Sequence, residues 1–488
     1  MRTILFLDDW PLQSYRGVVR RWFAAEAYPG AQPWHDPLLA YNSVSSVMRD
    51  KTSGGWRMYG GGMTDRSLSD EGVGLCMYTS QDGVDWQPAL HNEPIDKNAT
   101  PHATHIIFSG EYSSHGAPFY DENEKDQSRL YKMPYSDLSP RPVSPEGTCR
   151  VAYSADGVHW HIDRQAVWRE QHTDTLFSTL YNPYTQRYQF TGRPILGDRR
   201  VALYQTRDWQ RFEPPVVILH PDPADPPCIE FYGMPHFFYE GYFIGFLWRQ
   251  YGAYGDETIA SRMKGRVDSE LAYSINGTHW NRTNRQPFLP DGGIGRYGYG
   301  SEYPSALVQD EEGWLRVYTT SYVGEHNDWR KFGTDETIAY ITLSRWRRDG
   351  FCALECQSDI GEVTLRPLIA YDGAITLNAT TGRFGSIRAE LRMVPDNKPI
   401  PGYELENSIP IHGDGHFIPL RWIERDNVNR FSGEPFRLYL QLEQARVYAV
   451  RVNSDLLYGW VPQLNLAGDY ISDRLPGLEI GRTERYNQ

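Results

Sequence analysis

The sequence predicts an all-β protein that consists of a five-bladed β-propeller followed by a β-sandwich. Three observations support this fold class. The chain contains 44 Gly, 33 Pro and 15 Trp, and these residue types favour turns and strands. Few windows carry the three- to four-residue spacing of apolar residues that marks an amphipathic helix. A turn motif recurs along the first two thirds of the chain and then stops.

The recurring motif is Ser-x-[Asp/Asn]-Gly-x-x-Trp at the end of an alternating strand. It occurs in three full copies, which end at Trp86, Trp160 and Trp280, and in degenerate form before Trp209 and Trp346. Asp-Gly and Asn-Gly pairs are tight-turn signals because these residues tolerate a positive φ. Each interval between the Trp residues is long enough for one four-stranded sheet, so the motif predicts five blades.

A second pattern, a short run with paired aromatic residues, lies between successive turn motifs. Its copies cover residues 56–59, 129–132, 186–190, 241–245 and 313–318. The alternative to a propeller is a set of stacked sandwiches with coincidental turns. Two motifs that recur in phase favour the propeller, with one copy of each per blade.

The turn motif ends at Trp346, and short alternating strands with turn signals between them follow. Their spacing predicts an antiparallel sandwich. We therefore predict a catalytic propeller over residues 1–350 and a sandwich over residues 351–488. The sequence leaves open whether the sandwich binds substrate or joins the subunits of a homo-oligomer.

Charge and composition limit the classes of partner that we expect the protein to bind. The formal charge of −13 argues against nucleic acid and anionic membranes, whereas many Tyr and Trp among polar residues suit a glycan such as an oligosaccharide. No apolar run spans a bilayer, and the N-terminus lacks the pattern of a secretory signal, so we expect a cytoplasmic protein. Five cysteines without a framework predict neither disulfides nor a zinc site, and we expect no metal and no cofactor.

The turn motif, the five predicted blades and the C-terminal sandwich together resemble the furanosidase superfamily of invertases, levansucrases, inulinases and arabinanases. The stretches Leu365-Arg-Pro-Leu and Ile387-Arg-Ala-Glu-Leu also look like the sandwich of the invertase-type members. The motifs of the invertase-type members are not intact in this chain. The segments that match them in part are Trp34-His-Asp-Pro, His172-Thr-Asp and Ile229-Glu-Phe-Tyr-Gly-Met-Pro. The resemblance implies a glycosidase that uses paired carboxylates, with fructosides or arabinosides as favoured substrates.

The innermost strand of each blade lines the central funnel, so its first residues can meet a ligand. Hydrolysis of a glycosidic bond needs a proton donor and a second carboxylate. We predict Glu230 as the general acid, because its apolar neighbours in sequence favour the protonated form. The resemblance puts the transition-state-stabilising Asp in the blade of Asp174, and Glu302 is the candidate nucleophile or base. Asp9, from the Asp8-Asp9 pair, is the fourth candidate, with Asp36 as a weaker rival in a turn-like context.

Other polar and aromatic residues near the predicted strand openings are candidates for binding sugar hydroxyls. They are His102, His105, Arg193, Tyr232, His236 and Tyr303. A loop at residues 220–227, which carries Asp222 and Asp225, is expected at the surface or at the funnel rim. Two alternatives to a furanosidase stay open. One is a sugar-binding propeller without catalysis, and the other is a propeller pyranosidase, transglycosylase or phosphorylase; a phosphorylase is disfavoured because the openings show no cluster of Arg or Lys.

Overall fold

A computed structural model describes most of the 488-residue chain. The described residues are 1–65, 72–110, 114–137, 148–168, 173–194, 198–252, 265–289, 297–326, 337–356, 359–394, 396–431, 434–456, 471–472 and 481–482. Among these residues, the helical segments are short 3-10 turns at Gln127–Arg129, Leu405–Asn407 and Asn429–Phe431. The predicted all-β class is therefore confirmed. In the part of the chain that the structure describes, no helix has the length and apolar character needed to cross a bilayer.

The strands follow one another along the chain with short connections. In chain order they are β1 (Arg2–Leu5), β2 (Leu12–Arg16), β3 (Val18–Trp22), β4 (Glu26–Ala27), β5 (Tyr41–Asn42), β6 (Ser46–Arg49), β7 (Trp56–Met63), β8 (Gly74–Ser80), β9 (Gln87–Pro88), β10 (Ile106–Phe108), β11 (Ser114–Gly116), β12 (Phe119–Tyr120), β13 (Tyr131–Asp137), β14 (Cys149–Ser154), β15 (His161–Asp163), β16 (Thr173–Asn182), β17 (Arg187–Pro194), β18 (Val201–Thr206), β19 (Val216–Leu219), β20 (Ile229–Gly233), β21 (His236–Tyr239), β22 (Tyr242–Tyr251), β23 (Arg266–Ser274), β24 (Asn281–Pro287), β25 (Ser301–Gln309), β26 (Leu315–Tyr322), β27 (Ala339–Trp346), β28 (Cys352–Cys356), β29 (Gly361–Leu365), β30 (Leu368–Met393), β31 (Asp414–Pro419), β32 (Pro435–Leu456), β33 (Ile471–Ser472) and β34 (Gly481–Arg482).

The chain divides into two compact units. One unit is Ala24–Arg345, and the other combines Met1–Phe23 with Trp346–Gln488. The first 23 residues, which the sequence assigned to the propeller, thus belong to the C-terminal unit. The reason is pairing: β1 pairs with β32, β2 with β29 and β3 with β28. The alternating apolar residues at the N-terminus complete the C-terminal sheet and take no part in a blade.

The unit Ala24–Arg345 contains five groups of paired strands in sequence order, which we call blades 1 to 5; a parallel bridge between Val267 and Ser301 joins blades 4 and 5 into one nine-stranded sheet. The strands of each blade are given from the innermost outward, and two short strands that share one position are written as a pair. Blade 1 is the pair β5/β6, then β7, β8 and the pair β9/β10; blade 2 is the pair β11/β12, then β13, β14 and β15; blade 3 is β16, β17, β18 and β19. Blade 4 is the pair β20/β21, then β22, β23 and β24; blade 5 is β25, β26 and β27, with β4 at its edge. The predicted aromatic runs coincide with the second strand of each blade. Strand β4, from the N-terminal end of the unit, closes blade 5.

The Ser-x-[Asp/Asn]-Gly motif forms the turn after the third strand of blades 1, 2 and 4. In each copy the Ser hydroxyl accepts the N–H of the Gly at 2.9 Å, and the Gly φ lies between +74° and +78°. The Asp or Asn side chain accepts further N–H groups, as Asp82 does from Val84 at 2.8 Å. The turn that the sequence predicted is therefore confirmed, together with its requirement for glycine.

These turns also join neighbouring blades, which explains why the motif repeats. The carbonyl of Gly157 in blade 2 accepts a hydrogen bond from Tyr59 in blade 1 at 3.1 Å. The carbonyl of Gly83 in blade 1 accepts one from Tyr318 in blade 5 at 2.8 Å. Equivalent contacts run from Gln189 to Gly277 and from Tyr153 to Trp209. Each turn thus binds the second or third strand of the blade before it in the ring.

We predict that Gly157→Ala destabilises the protein more than Gly54→Ala. Both glycines have a positive φ, so both substitutions carry a backbone cost of about 1–2 kcal/mol. A Cβ at Gly157 would lie 2.4 Å from Tyr59 Oη and 2.5 Å from Arg57 Nη1, whereas one at Gly54 meets nothing within 4 Å. Chemical denaturation should therefore show an additional loss of about 1–3 kcal/mol for Gly157→Ala. Equal losses for the two variants would contradict this account of the interblade contact.

The second unit is built around two long strands, β30 and β32, which pair along most of their length. Leu377, Leu391, Leu440 and Val450 are fully buried along them. The ladder shifts register between Thr381 and Ser386, where Gly382 and Gly385 lie. The all-β character predicted for the C-terminal region is confirmed, and the N-terminal residues add three strands to it.

Candidate functional site

The innermost strands of all five blades line one cavity of about 500 Å³. Its walls come from β6, β12, β16, β21 and β25, with one strand group from each blade. The five sheets therefore surround a common axis, as the turn motif predicted. Residues near the start of the innermost strands of blades 1, 4 and 5, with side chains that pack against them, form the cluster described next.

Four tyrosines cluster here, and we call them the tyrosine wall: three lie in innermost strands, and Tyr322 is the last residue of β26, paired with Ser301 at the start of β25. They are Tyr41 of blade 1, Tyr232 of blade 4, and Tyr303 and Tyr322 of blade 5. The ring centroids of Tyr232 and Tyr303 lie 5.8 Å apart, and those of Tyr303 and Tyr322 lie 5.6 Å apart. The Tyr322 hydroxyl donates to the Tyr41 hydroxyl at 2.9 Å. Three of the five predicted strand openings thus come together, including the predicted binding residues Tyr232 and Tyr303.

Glu230 opens the innermost strand of blade 4, two residues before Tyr232. Its Oε2 accepts a hydrogen bond from Arg199 Nη1 at 2.8 Å, and the same Arg199 nitrogen donates to Gln250 Oε1 at 2.7 Å. The side chains of Arg199 and Glu230 are 12% and 15% exposed, so the pair is largely removed from water but still reachable. Such a charge-assisted bond is stronger than one between neutral groups.

The apolar surroundings that the sequence predicted for the Glu230 carboxylate are not observed. Ile229 and Phe231 are buried, with 5% and 0% exposure, but they lie on the opposite face of the strand because successive side chains alternate. Glu230 shares its face with Tyr232 and meets a guanidinium. The residues next to Glu230 in sequence are therefore not the residues that its carboxylate contacts.

A second arginine reaches the same place from blade 3. Arg193 is 4% exposed, and its guanidinium carbon lies 4.2 Å from the centroid of the Tyr232 ring. The guanidinium carbon of Arg199 lies 5.3 Å from the same centroid. The predicted strand openings showed no cluster of basic residues, because Arg193 lies in β17 and Arg199 shortly before β18, outside the innermost strands. The predicted binding residue Arg193 is therefore part of the cluster.

His326, which no sequence motif indicated, completes this side of the cluster. Its Nδ1 lies 3.0 Å from the Tyr303 hydroxyl, and its ring centroid lies 4.7 Å from that of Tyr232. Burial, reinforced by the positive charges of Arg199 and Arg193, lowers the pKa of His326 to about 3. The imidazole is therefore neutral near pH 7. Burial also raises the pKa of Tyr303 well above its usual value, so its hydroxyl stays protonated.

Glu302 lies beside Tyr303 in the innermost strand of blade 5 and is partly buried. A Cβ on Gly298 would lie 2.5 Å from Glu302 Oε1, and Gly298 has a φ of +80°. Glycine at this position therefore leaves room for the carboxylate. Asp174 lies in β16 as the sequence predicted, but its side chain is outside the described residues, as is all of His172.

Asp9 belongs to the unit formed by the two chain ends, where it forms an ion pair with Arg20 and accepts from the Tyr15 hydroxyl at 3.5 Å. It lies between β1 and β2, and both strands pair within that unit. The catalytic role of Asp9 stays a prediction. The first residues of the innermost strand of blade 1 are Tyr41 and Asn42.

The two histidines predicted for blade 2 lie elsewhere. Strand β10, which follows them, pairs with β8 at the edge of blade 1, and the innermost strand of blade 2 begins at Ser114. His102 is exposed. His105 is fully buried, and its Nε2 lies 2.7 Å from Asp36 Oδ2, which is also fully buried. Asp36 accepts the N–H of Leu38 at 2.9 Å, so it caps a turn, and His105 supports that turn.

His236, also predicted to bind substrate, lines the axial cavity farther along blade 4. It is 1% exposed, and its Nδ1 lies 3.4 Å from Ser178 Oγ. Burial lowers the pKa of His236 to about 3. The native protein therefore holds this imidazole neutral at pH values where the unfolded chain, with a pKa near 6.5, protonates it.

We predict that this histidine makes the protein less stable in acid. Above pH 6.5 both states are neutral at His236, and as the pH falls from 6.5 towards 3 only the unfolded state gains the proton. The free energy of unfolding should therefore decrease by up to about 1.4 kcal/mol per pH unit from this group alone. In urea denaturation between pH 7 and 4.5, His236→Gln should weaken the pH dependence. His159→Gln, at a side chain that is 64% exposed, is the control, and an unchanged slope in His236→Gln would refute the prediction.

A buried network of charges lies behind the strand that carries Glu230. The carboxylate of Glu270 is fully buried and binds both Arg249, at 2.9 Å, and Arg282, at 2.8 Å. Arg249 also binds Asp268 at 2.8 Å. The guanidinium carbon of Arg282 lies 4.9 Å from the centroid of the Phe231 ring. The network therefore packs against the opposite face of β20.

The same network holds the loop at residues 220–227. Arg282 Nη1 donates to Asp225 at 2.6 Å, and Arg285 Nη2 donates to Asp222 at 2.5 Å. The hydrogen bond from Arg285 lowers the pKa of Asp222. Burial alone would raise the pKa of Asp225. The hydrogen bond from Arg282 has the opposite effect, and the pKa of Asp225 is lowered overall. The loop leads directly into β20, so these contacts position the strand of Glu230.

The described residues contain no group of three His, Cys, Asp or Glu side chains placed to hold a metal ion. All five cysteines lie among the described residues as reduced thiols, and four of them are buried.

Comparisons with known proteins give weak similarities. No family model matches the chain, and no curated protein matches it. Among solved structures, an N-acetylgalactosamine deacetylase from F. plautii in complex with blood group B trisaccharide has 14% identity and a TM-score of 0.42, covering 68% of this chain and 95% of that chain. A glycosyl hydrolase from Bacteroides ovatus has 12% identity and a TM-score of 0.39, covering 67% and 94%. A β-fructofuranosidase from Schwanniomyces occidentalis complexed with fructosyl-erythritol has 10% identity and a TM-score of 0.41, covering 88% and 96%. These values identify neither a family nor an activity for the chain.

Proposed function

We propose that the protein is a glycoside hydrolase whose site is the cluster around Glu230 and the tyrosine wall. The observation that carries the proposal is the contact between Tyr232 and Tyr303, which lie on the innermost strands of blades 4 and 5 that also carry Glu230 and Glu302. Two carboxylates near one ligand site are what hydrolysis of a glycosidic bond requires. Aromatic faces cover the C–H surface of a sugar, while the hydroxyls of the tyrosine wall can bond its oxygens.

The contact with Arg199 bears on the role proposed for Glu230. Because Arg199 donates to its carboxylate, the geometry supports the role of nucleophile or general base for Glu230 better than the proton donor predicted from the sequence. Glu302 is then the proposed proton donor to the leaving oxygen. Asp174, in the innermost strand of blade 3, is the proposed third carboxylate that stabilises the transition state.

The favoured substrates are small fructosides or arabinosides, cleaved from one end. Support for this choice comes from the turn motif and from the C-terminal sequence, which resemble the furanosidase superfamily. The competing proposal is a sugar-binding propeller without catalysis. In that case the bond between Arg199 and Glu230 would only shape the binding surface.

A panel of aryl furanosides and aryl pyranosides, assayed with the purified protein, tests this function. We expect release of the aryl group from at least one furanoside. Release from pyranosides alone would keep a hydrolase but reject the furanosidase proposal. If no glycoside of the panel is cleaved although one binds, the non-catalytic proposal replaces hydrolysis.

A further inference from the structure

We propose that the axial cavity is a second ligand site, separate from the cluster, and that it takes one uncharged sugar unit. Its volume of about 500 Å³ lies in the range of about 300–1,000 Å³ that is typical of pockets for small organic ligands. All five blades contribute to its wall, and its described lining residues include neither Glu230 nor Glu302. The inference goes beyond the proposed function, because it concerns binding at another place on the axis.

The cavity lies farther along the innermost strands than the cluster. In β25, Tyr303 belongs to the tyrosine wall and Leu307 lines the cavity. The two residues are four positions apart, which corresponds to about 13 Å along a strand. In blade 4, Tyr232 of the tyrosine wall likewise precedes His236 of the cavity. Both blades therefore place the cluster and the cavity in the same order along the axis.

An aromatic layer lies between the cluster and the cavity. Phe177, which precedes the cavity residue Thr179 in β16, contacts Trp248 with ring centroids 4.8 Å apart. The ring centroid of Trp248 lies 5.1 Å from that of Tyr303. A Cβ at Gly233 would lie 2.4 Å from Phe177 Cζ, so blades 3 and 4 pack closely at this level. The layer separates the two sites, and a ligand reaches the cavity from the end of the axis opposite to the cluster.

The charges around the cavity favour an uncharged ligand. The charged side chains among its described lining residues are Arg49, Lys51 and Glu122. Lys51 pairs with Glu122 at 2.6 Å, and Arg49 pairs with Glu311 at 3.2 Å. Burial keeps His236 neutral near pH 7 by lowering its pKa to about 3. An ionic ligand would have to compete with an existing ion pair, whereas a neutral ligand would not.

Hydroxyl groups supply the polar part of the wall. Ser45 and Ser46 come from blade 1, Ser178 and Thr179 from blade 3, and Ser305 from blade 5. The side-chain oxygens of Ser46 and Thr179 are buried and have no hydrogen-bond partner among the described residues. No bond therefore fixes their χ1 rotamers, and each hydroxyl can turn towards a ligand. A sugar hydroxyl, which both donates and accepts, would remove the cost of leaving these groups unsatisfied.

Aromatic side chains supply the apolar part of the wall. Phe119, Phe237 and Phe238 are among the lining residues. Phe238 is 42% exposed, and its ring centroid lies 5.1 Å from that of Phe243, which is fully buried. Phe238 is therefore held from one side and open to solvent on the other. An exposed aromatic ring next to hydroxyl groups suits a sugar, because the ring covers the C–H face while the hydroxyls bond the oxygens.

Titration with single sugars, which contain no glycosidic bond to cleave, tests this inference. The neutral probes are D-glucose, D-galactose, D-fructose and L-arabinose, and sodium D-gluconate is the charged counterpart at matched ionic strength. Ligand-observed NMR measures the dissociation constants. We expect at least one neutral probe to bind saturably to the wild-type protein and to bind more tightly than gluconate.

Two variants and two matched controls locate the binding. Phe238→Ala removes the exposed ring and Thr179→Val removes a hydroxyl, so each should weaken the binding of the active probe by about threefold to tenfold. Phe384→Ala, at a Phe of the other unit that is 78% exposed, should leave the affinity unchanged. Thr376→Val, also in the other unit, removes a buried hydroxyl that likewise has no partner among the described residues, and it should leave the affinity unchanged.

The inference is overturned if no neutral probe binds saturably, if gluconate binds as tightly as the neutral probes, or if Phe238→Ala binds like the wild-type protein. Because Phe238 is exposed, its variant gives the answer even if Thr179→Val fails to fold. Glu230→Gln distinguishes the two sites and should keep the binding. Loss of the binding in Glu230→Gln, with no change in Phe238→Ala, would place the sugar in the cluster and reject the second site. The result does not depend on whether any glycoside is cleaved.

Discussion

Glu230→Gln should reduce kcat on the most active glycoside of the panel by about 10³-fold while the protein remains folded. The substitution keeps the shape of the side chain and an oxygen that can accept from Arg199, but it removes the charge that attacks the sugar or activates water. Loss of one group that acts as acid, base or nucleophile costs about 10²–10⁴ in rate. Initial rates over a range of substrate concentrations would separate kcat from KM.

The matched substitution Glu302→Gln tests the assignment of roles. If Glu302 donates the proton, its loss should matter less for substrates with a good leaving group, such as dinitrophenyl glycosides, than for those with a poor one. Glu230→Gln should lower the rate for both kinds of substrate. The reversed pattern would return Glu230 to the role of proton donor that its sequence position suggested, and full activity in both variants would remove these carboxylates from the mechanism.

The architecture of the first unit could be predicted from sequence because its signals are local. A Ser hydroxyl, an Asp or Asn side chain and a Gly with positive φ specify a turn within a few residues, and the turns around Gly83 and Gly157 repeat it closely. Repetition of such a turn fixes the number of blades. The position of residues 1–23 could not be predicted in this way, because their strands pair with β28, β29 and β32 more than 300 residues away in sequence.

The site was predictable only in part, for the same reason. Glu230, Tyr232 and Tyr303 were found because they begin innermost strands, which is a local property. Arg199, Gln250 and His326 lie in no motif, and they reach the cluster through contacts between strands and blades. His105 was predicted to bind substrate because a histidine near a strand looks the same in sequence whether it faces a ligand or an internal partner such as Asp36.

The stability of blade 4 depends on the buried charges behind β20. We expect Glu270→Gln to lower the free energy of unfolding by about 3–5 kcal/mol, because Arg249 and Arg282 would keep their charges in a dry environment without their shared carboxylate. Urea denaturation followed by Trp fluorescence measures this loss. Glu26→Gln is the control: it breaks the ion pair with Arg345 at a side chain that is 59% exposed, and it should cost at most about 1 kcal/mol.

A loss below about 1 kcal/mol for Glu270→Gln would mean that the network is not a strong constraint on the fold. The expected large loss has a consequence for function, because Arg282 contacts both Phe231 in β20 and Asp225 in the preceding loop. A weakened network should therefore loosen the strand that holds Glu230 against Arg199. At temperatures where Glu270→Gln is still folded, its activity should fall further than that of Glu26→Gln, since only the first substitution removes support from the proposed catalytic carboxylate.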